Sequence, residues 1–154
     1  MPMELDEFDV KILSILQRNA KISNVTLAAE VGLSPSPCLA RVKALTESGL
    51  IKRHVTLLDP VLVGLNLNVF IHVTMTRQSD KVLAAFATAV RGWREVLECH
   101  LMTGDSDYLL RLVVRDVDHL RTFVLDRLTP FDGIASIRSS IALDQIKYET
   151  ALPI

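Results

Sequence analysis

The chain has 154 residues, of which 49% are hydrophobic and 23% are charged, and its formal net charge is −1. This composition is typical of a folded globular protein, and the length suits one domain or two small ones. No apolar run reaches the ~18 residues that a membrane span needs. The start, MPMELDEFD, is acidic where a secretory signal is basic. We therefore expect a soluble cytoplasmic protein with no membrane partner.

Charge is distributed unevenly along the chain. Residues 10–58 hold seven bases against two acids, whereas residues 1–9 hold four acids and no base. A basic region on an otherwise acidic protein suits local, salt-dependent contact with phosphates. Ordinary solvated surface charge is the alternative.

No pattern in the sequence indicates a metal or an organic cofactor. Cys38 and Cys99 lie far apart and match no disulfide or metal spacing, so we expect buried, reduced thiols. The segment 105–107 begins like a calcium loop, but Leu110 occupies its sixth position, where glycine is required. The four histidines are isolated from one another in sequence: His54, His72, His100 and His119.

Three amphipathic helices are predicted in the first third of the chain. The first covers 6–17, with apolar residues spaced by three and four. Ser23 is a good N-cap for the second, and Gly32 follows it where a left-handed backbone would reverse the chain. Ser34 caps the third helix, and Pro35 takes the first helical position. This arrangement is typical of a helix-turn-helix, whose second helix enters the major groove. A helical hairpin used only for packing is the alternative.

On the third helix, Cys38 and Leu45 share one apolar face with Val42, and we expect Arg41 and Lys43 to point elsewhere. Arg41 is best placed for a base edge or a phosphate, and Lys43 for the DNA backbone. The stretch 50–59, rich in branched residues, is consistent with a wing-like strand pair, and the hinge between domains is expected near 59–64. The complete set of predicted DNA contacts is Ser23, Asn24, Ser34, Pro35, Ser36, Pro37, Arg41, Lys43, Lys52 and Arg53.

The second part of the chain has the periodicity of an α+β sandwich. Apolar residues recur every second position over 65–75, which predicts a strand. The predicted order is β-α-β-β-α-β, a split βαβ or ferredoxin-like fold. The remaining predicted elements are a helix from Ser79 or Asp80, strands over 96–102 and 108–114, a helix from Asp116 or Asp118 through Leu128, and a last strand over 134–146.

Two helices cover one face of such a sheet, and the other face needs a partner. We expect the apolar surface to exceed what two helices can hide, so that a second copy packs sheet to sheet. The residues concerned are Val69, Ile71, Val73, Ile137, Ile141 and Leu143.

The turn at 103–107 is a candidate ligand site. Gly104 permits close approach to the backbone, and successive N–H groups of a tight turn can hold a carboxylate. Asp105 or Asp107 would then hold an ammonium group, so a free amino acid would fit. The alternative is a polar β-turn that binds nothing.

Both halves together resemble the Lrp/AsnC (feast/famine) family of transcription regulators. The motifs that carry the resemblance are LDEFDVKIL (5–13), VGLSPSPC (31–38), GLI (49–51), GDSDY (104–108), QIKY (145–148) and LP (152–153). The resemblance implies a winged helix-turn-helix domain over 1–60 and an ACT-like ligand-sensing and oligomerisation domain over 65–154. It also implies homodimers, commonly assembled as octamers of four dimers.

In this family the turn lines an amino-acid site between dimers. The resemblance therefore assigns ligand contacts to Thr103, Gly104, Asp105, Asp107 and Tyr108, with Ser139 and Ser140 as weaker candidates from a neighbouring subunit. It suggests leucine or methionine as the effector.

The third helix departs from the family pattern at Ala40 and Ala44, which replace two common bases, and phosphate contacts are expected to be fewer. We predict a regulator of double-stranded DNA that responds to an amino acid and is not an enzyme. One alternative is an amino-acid-sensing module with no DNA role. The other is an enzyme using Asp105 and Asp107 as acid and base, although no nucleophile or cofactor motif accompanies them.

Overall fold

The computed structural model describes residues 4–77 and 79–154 and divides into two compact units. The first runs to Leu57 and includes Lys147–Ile154, and the second is Leu58–Ile146. The predicted boundaries, 1–60 and 65–154, differ most at the C-terminus, which belongs with the helices. Its backbone explains this, because Leu152 donates its N–H to Gln17 Oε1 at 2.5 Å and accepts from Gln17 Nε2 at 3.2 Å. Residues 1–3 and Gln78 of the predicted domains lie outside the described residues.

The first unit contains helices α1 (Glu7–Leu16), α2 (Asn24–Val31) and α3 (Pro35–Glu47). The backbone of Gly32 is left-handed, with φ of 78°, so the predicted reversal after α2 is confirmed. Apolar side chains at helical spacing meet in one small core. Its buried members are Ile12, Leu13, Leu27, Ala28, Val31, Cys38 and Leu45.

The strand pair predicted for 50–59 is not formed. Residues 52–59 have no regular secondary structure, and Val55 and Leu57 are exposed. Two short strands alone bury too little apolar surface to be stable in water. The charged side chains of this segment therefore lie on irregular backbone.

The second unit is a four-stranded antiparallel sheet with the strand order β2-β3-β1-β4. The predicted β-α-β-β-α-β order is confirmed. Its elements are β1 (Leu67–Met75), α4 (Asp80–Arg91), β2 (Val96–Leu101), β3 (Tyr108–Val114), α5 (Val117–Phe123, continued by a π-helical turn over Val124–Leu128) and β4 (Ile134–Ile141).

The last strand is shorter than the predicted 134–146. Ile141 pairs with Val69, and the N–H of Ala142 donates to the carbonyl of Asn68 at 2.9 Å. Strand β1 begins one residue earlier, at Leu67, so residues beyond Ala142 have almost no neighbouring strand left to pair with.

One face of the sheet is covered by α4 and α5. Val69, Ile71 and Val73 are fully buried there, so the expectation that two helices leave these side chains bare is wrong. Aromatic rings fill the layer between helices and sheet: Phe86, Trp93, Tyr108, Phe123 and Phe131. Of the predicted apolar excess, Ile141 and Leu143 remain exposed.

The opposite face is more polar than predicted. Arg111 on β3 donates to Glu98 Oε1 at 2.8 Å and to Asn68 Oδ1 at 3.2 Å.

Within residues 4–77 and 79–154, none of the helices has the length and the apolar character that spanning a bilayer requires.

Candidate DNA-binding and effector sites

The start of α3 is exposed and has a free polar group. Ser34 is the N-cap, but within the described chain its side chain makes no capping hydrogen bond. Ser36 and Pro37 follow on the first turn and are exposed. Lys43 lies further along the helix with its side chain 73% exposed, and its Nζ is 3.7 Å from Glu47 on the next turn. Pro35 and Pro37 have no N–H, and the N–H of Cys38 donates to the carbonyl of Ser34 at 3.2 Å. The turn therefore offers a phosphate the hydroxyl groups of Ser34 and Ser36 and the N–H of Ser36.

Three of the predicted DNA contacts are also used inside the unit. Ser23 caps α2, since its Oγ accepts the N–H of Thr26 at 3.1 Å. Asn24 Nδ2 donates to the carbonyl of Pro35 at 2.8 Å and so ties the start of α2 to the start of α3. Asn24 Oδ1 is buried and has no hydrogen-bond partner among the described residues.

Arg41 points towards α1. Its Nη1 lies 2.7 Å from Asp6 Oδ2 and 2.9 Å from Asp9 Oδ1, and the guanidinium sits 5.4 Å from the centroid of the Phe8 ring. Arg41 lies on the same face of α3 as Cys38, whereas Lys43 lies on a different face of the helix. The expectation that both bases point away from the packed face is therefore wrong for Arg41, whereas its predicted contact with DNA stays a prediction.

These contacts shift the pKa values of Asp6 and Arg41. The pKa of Asp6 is lowered, first by the hydrogen bond from the N–H of Asp9 and then by the Arg41 guanidinium. The pKa of Arg41 is raised by its hydrogen bonds to Asp6 and Asp9. Asp6 and Arg41 are therefore both held in their ionised forms.

Lys52 and Arg53 lie on the irregular segment after α3 and are exposed. They border a groove of about 240 Å³ whose other walls are largely apolar. The apolar walls include two residues of α1, Leu13 and Leu16, and two residues of the C-terminal tail, Leu152 and Ile154. Sequence patterns did not predict that the tail would line this groove, because the tail is short and its apolar residues follow neither a helical nor a strand period.

The turn at 103–107 is divided between an exposed and a buried part. Thr103, Gly104 and Asp105 are exposed, and Gly104 has φ of 113°, which favours glycine. Within the described residues the Asp105 carboxylate forms no ion pair, so it can receive an ammonium group. Leu101 and Met102 are exposed beside it.

The buried part is anchored to the sheet. Asp107 is 8% exposed, and its Oδ2 accepts the N–H of Met75 at 2.6 Å. The ring of Tyr108 lies in the aromatic layer, and its hydroxyl donates to the carbonyl of Leu83 at 3.3 Å. Burial raises the pKa of Tyr108, with smaller contributions from Cys99 and Asp107. Both side chains therefore support the turn from inside.

Ser139 and Ser140 lie on β4, opposite Ile71 and Phe70 of β1 respectively. Neighbouring strand residues point to opposite faces, so the two hydroxyls do not share one site. Ser140 is on the polar face, where Nδ1 of His72 contacts Ser106 Oγ at 3.1 Å. The His72–Ser106 contact was not predicted, since 34 residues separate the two.

Comparisons with known proteins match both units. A model described as winged helix-turn-helix DNA-binding matches residues 5–52, and the Lrp/AsnC ligand binding domain matches residues 68–152. The chain belongs to the Lrp/AsnC family. This regulator is 41% identical to the leucine-responsive regulatory protein of Haemophilus influenzae over 93% of this chain and 86% of that one. It is 38% identical to the Escherichia coli protein of the same name, over 98% and 92%.

A solved structure has the same fold at high identity. The transcriptional regulator of Neisseria meningitidis in complex with L-Met is 43% identical, with a TM-score of 0.93 over 97% of each chain. This Lrp/AsnC member is thus a DNA-binding transcriptional regulator with an amino-acid-binding domain. The predicted family and fold class are confirmed.

Proposed function

We propose that this regulator contacts duplex DNA through the exposed start and outer face of α3, and that an apolar amino acid, methionine or leucine, binds at the 103–107 turn. The exposed N-terminal turn of α3, with its free Ser34 hydroxyl, carries the first part of the proposal. The L-Met bound by the Neisseria meningitidis relative supports the second part.

The proposed DNA face is formed by the exposed polar residues of α3 and the segment that follows it. Ser34 and Ser36 would meet the groove with Pro37, while Lys43 would contact a phosphate, as would Lys52 and Arg53 from the irregular segment. Ser23, Asn24 and Pro35 would support this face through the contacts that join α2 to α3.

The effector site is proposed at the exposed half of the turn. The backbone N–H groups around Thr103 and Gly104 would hold the carboxylate, and Asp105 would hold the ammonium group. Leu101 and Met102 offer an apolar surface for the effector side chain. Asp107 and Tyr108 would act by fixing the turn, and Ser139 or Ser140 would contribute from a neighbouring subunit.

We propose further that the protein works in the cytoplasm as a homodimer, assembled into octamers of four dimers, with a DNA-binding unit near 1–60 and a sensing unit near 65–154. The exposed Ile141 and Leu143 supply apolar surface for association. The effector would act by binding one assembly state more tightly than another. A role as regulator and not as enzyme agrees with Asp107, whose carboxylate is occupied by a backbone N–H.

Effector binding is tested by calorimetry on the full chain with L-methionine, L-leucine and D-methionine. We expect an L-isomer to bind and Asp105→Asn to weaken it at least tenfold. Asp126→Asn, an exposed acid on the π-helical turn, is the matched control and should bind as the wild type does. Equal affinity of the Asp105→Asn variant would contradict the proposed site.

A further inference from the structure

The contact between Arg41 and α1 uses a capping box. Asp6 Oδ1 accepts the N–H of Asp9 at 2.9 Å, and Asp9 Oδ2 accepts the N–H of Asp6 at 3.4 Å. Each carboxylate thus has one oxygen on the helix backbone and the other oxygen towards Arg41. Because the backbone already fixes both carboxylates, they form a rigid receptor for one guanidinium nitrogen.

The guanidinium is partly shielded from water. The Arg41 side chain is 34% exposed and that of Asp9 is 17% exposed, and the Phe8 ring lies beside the cation. Shielding makes such a pair less sensitive to screening than a fully solvated one. A DNA phosphate would have to displace two carboxylates that also repel it.

Arg41 and Lys43 face different directions from α3. Two residues along a helix correspond to a rotation of about 200°, and Arg41 shares the inner side with Cys38 and Leu45. Lys43, by contrast, is on the outer side with Ser36 and Ala40, at helical spacings of three and four.

We infer that Arg41 is a positioning residue: held by Asp6 and Asp9, it fixes α3 against the start of α1 and so sets the angle at which the outer face of α3 meets DNA. Arg41 itself makes no contact with the duplex. This inference rests on the proposed use of α3 as the DNA-reading helix.

The decisive variant is Asp6→Asn combined with Asp9→Asn in the full-length protein. Removing two negative charges near a DNA-binding surface should tighten binding by simple electrostatics. If Arg41 positions α3, the double variant should instead bind about fivefold more weakly, as expected from loss of two partly exposed ion pairs. Asparagine is as good an N-cap as aspartate, so α1 should keep its cap.

Glu7→Gln is the matched control. Glu7 is in the same helix turn, its side chain is 73% exposed, and it contacts Lys11 at 3.8 Å. Removing this acid leaves the Arg41 contacts intact, so affinity should be unchanged or slightly higher. The probe in every case is one duplex selected from genomic fragments by the wild-type protein, with binding followed by fluorescence anisotropy.

The salt dependence of binding separates positioning from contact. Arg41→Gln should weaken binding without changing the slope of log affinity against log salt, whereas Lys43→Gln should reduce that slope by about one. Combining Arg41→Gln with the double Asn variant should weaken binding no further than either change alone. Tighter binding by the double Asn variant, or a reduced slope for Arg41→Gln, overturns the inference while leaving the proposed function intact. No reduction of slope for Lys43→Gln would instead count against the placement of α3.

Discussion

The helices of the first unit are joined by polar contacts as well as by a small core, whereas the layers of the second unit are joined mainly by apolar side chains. Arg41 and Asn24 both connect α3 to another helix through charge or hydrogen bonds. In the second unit, Leu110 and Leu112 of β3 and Phe86 of α4 are fully buried between the sheet and its helices. The orientation of α3 should therefore depend on ionic conditions more than the fold of the second unit does.

The largest expected effect concerns the second core. Leu110→Ala should lower the free energy of unfolding of the sensing unit by about 2–5 kcal/mol, because it removes a fully buried side chain and leaves a cavity. Leu62→Ala, at a position of the same unit that is 85% exposed, is the control and should change it by no more than about 0.5 kcal/mol. Urea unfolding measures both. A Leu110→Ala loss as small as that of the control would contradict the apolar account of this unit.

A smaller effect distinguishes the two serine caps of the first unit. Ser23→Ala should cost about 1 kcal/mol, since it removes the hydrogen bond to the N–H of Thr26. Ser34→Ala should cost less than about 0.5 kcal/mol, because that hydroxyl makes no capping bond, yet it should weaken DNA binding. Thermal unfolding and anisotropy on both variants measure the difference. A Ser34→Ala variant that loses stability and keeps full affinity would reverse the two roles.

The smallest effect is the response to acid. Because the pKa of Asp6 is lower in the folded state than its ordinary value near 3.8, this carboxylate contributes stability that is present above about pH 4 and is lost as the pH falls below it. Asp6→Asn should remove this part of the acid sensitivity, whereas Glu7→Gln should leave it. Urea midpoints at pH 6 and pH 3 would show it, and identical losses for wild type and Asp6→Asn would count against the pair.

Local signals predicted much of the fold. The caps at Ser23, Ser34 and Ser79 correctly predicted where α2, α3 and α4 begin. Period-two alternation predicted the start of β1 to within two residues. The predictions that were wrong depended on tertiary contacts. The residues of 50–59 did not reveal that a strand pair there would have no neighbouring strand to pack with. The length of β4 depends on where its partner strand β1 begins, 67 residues before Ile134.

The candidate sites were predicted at the level of segments but not of side-chain roles. Spacing placed Gly104 and Asp105 on an exposed turn, but it could not reveal that Asp107 would accept the N–H of Met75, 32 residues away. For the same reason, the pattern on α3 gave no sign that Arg41 would meet Asp6, 35 residues earlier. Polar contacts between residues far apart in the chain produce no periodic pattern in the sequence.

The most direct test of the whole account joins the two units in one titration. Anisotropy of a labelled duplex, selected by the wild-type protein from genomic fragments, is measured at increasing L-methionine and, separately, L-leucine. We predict that one of these amino acids shifts the midpoint of DNA binding, and that Asp105→Asn moves this response to an at least tenfold higher amino-acid concentration without changing DNA affinity in the absence of amino acid. An identical midpoint at every concentration of both amino acids would contradict it.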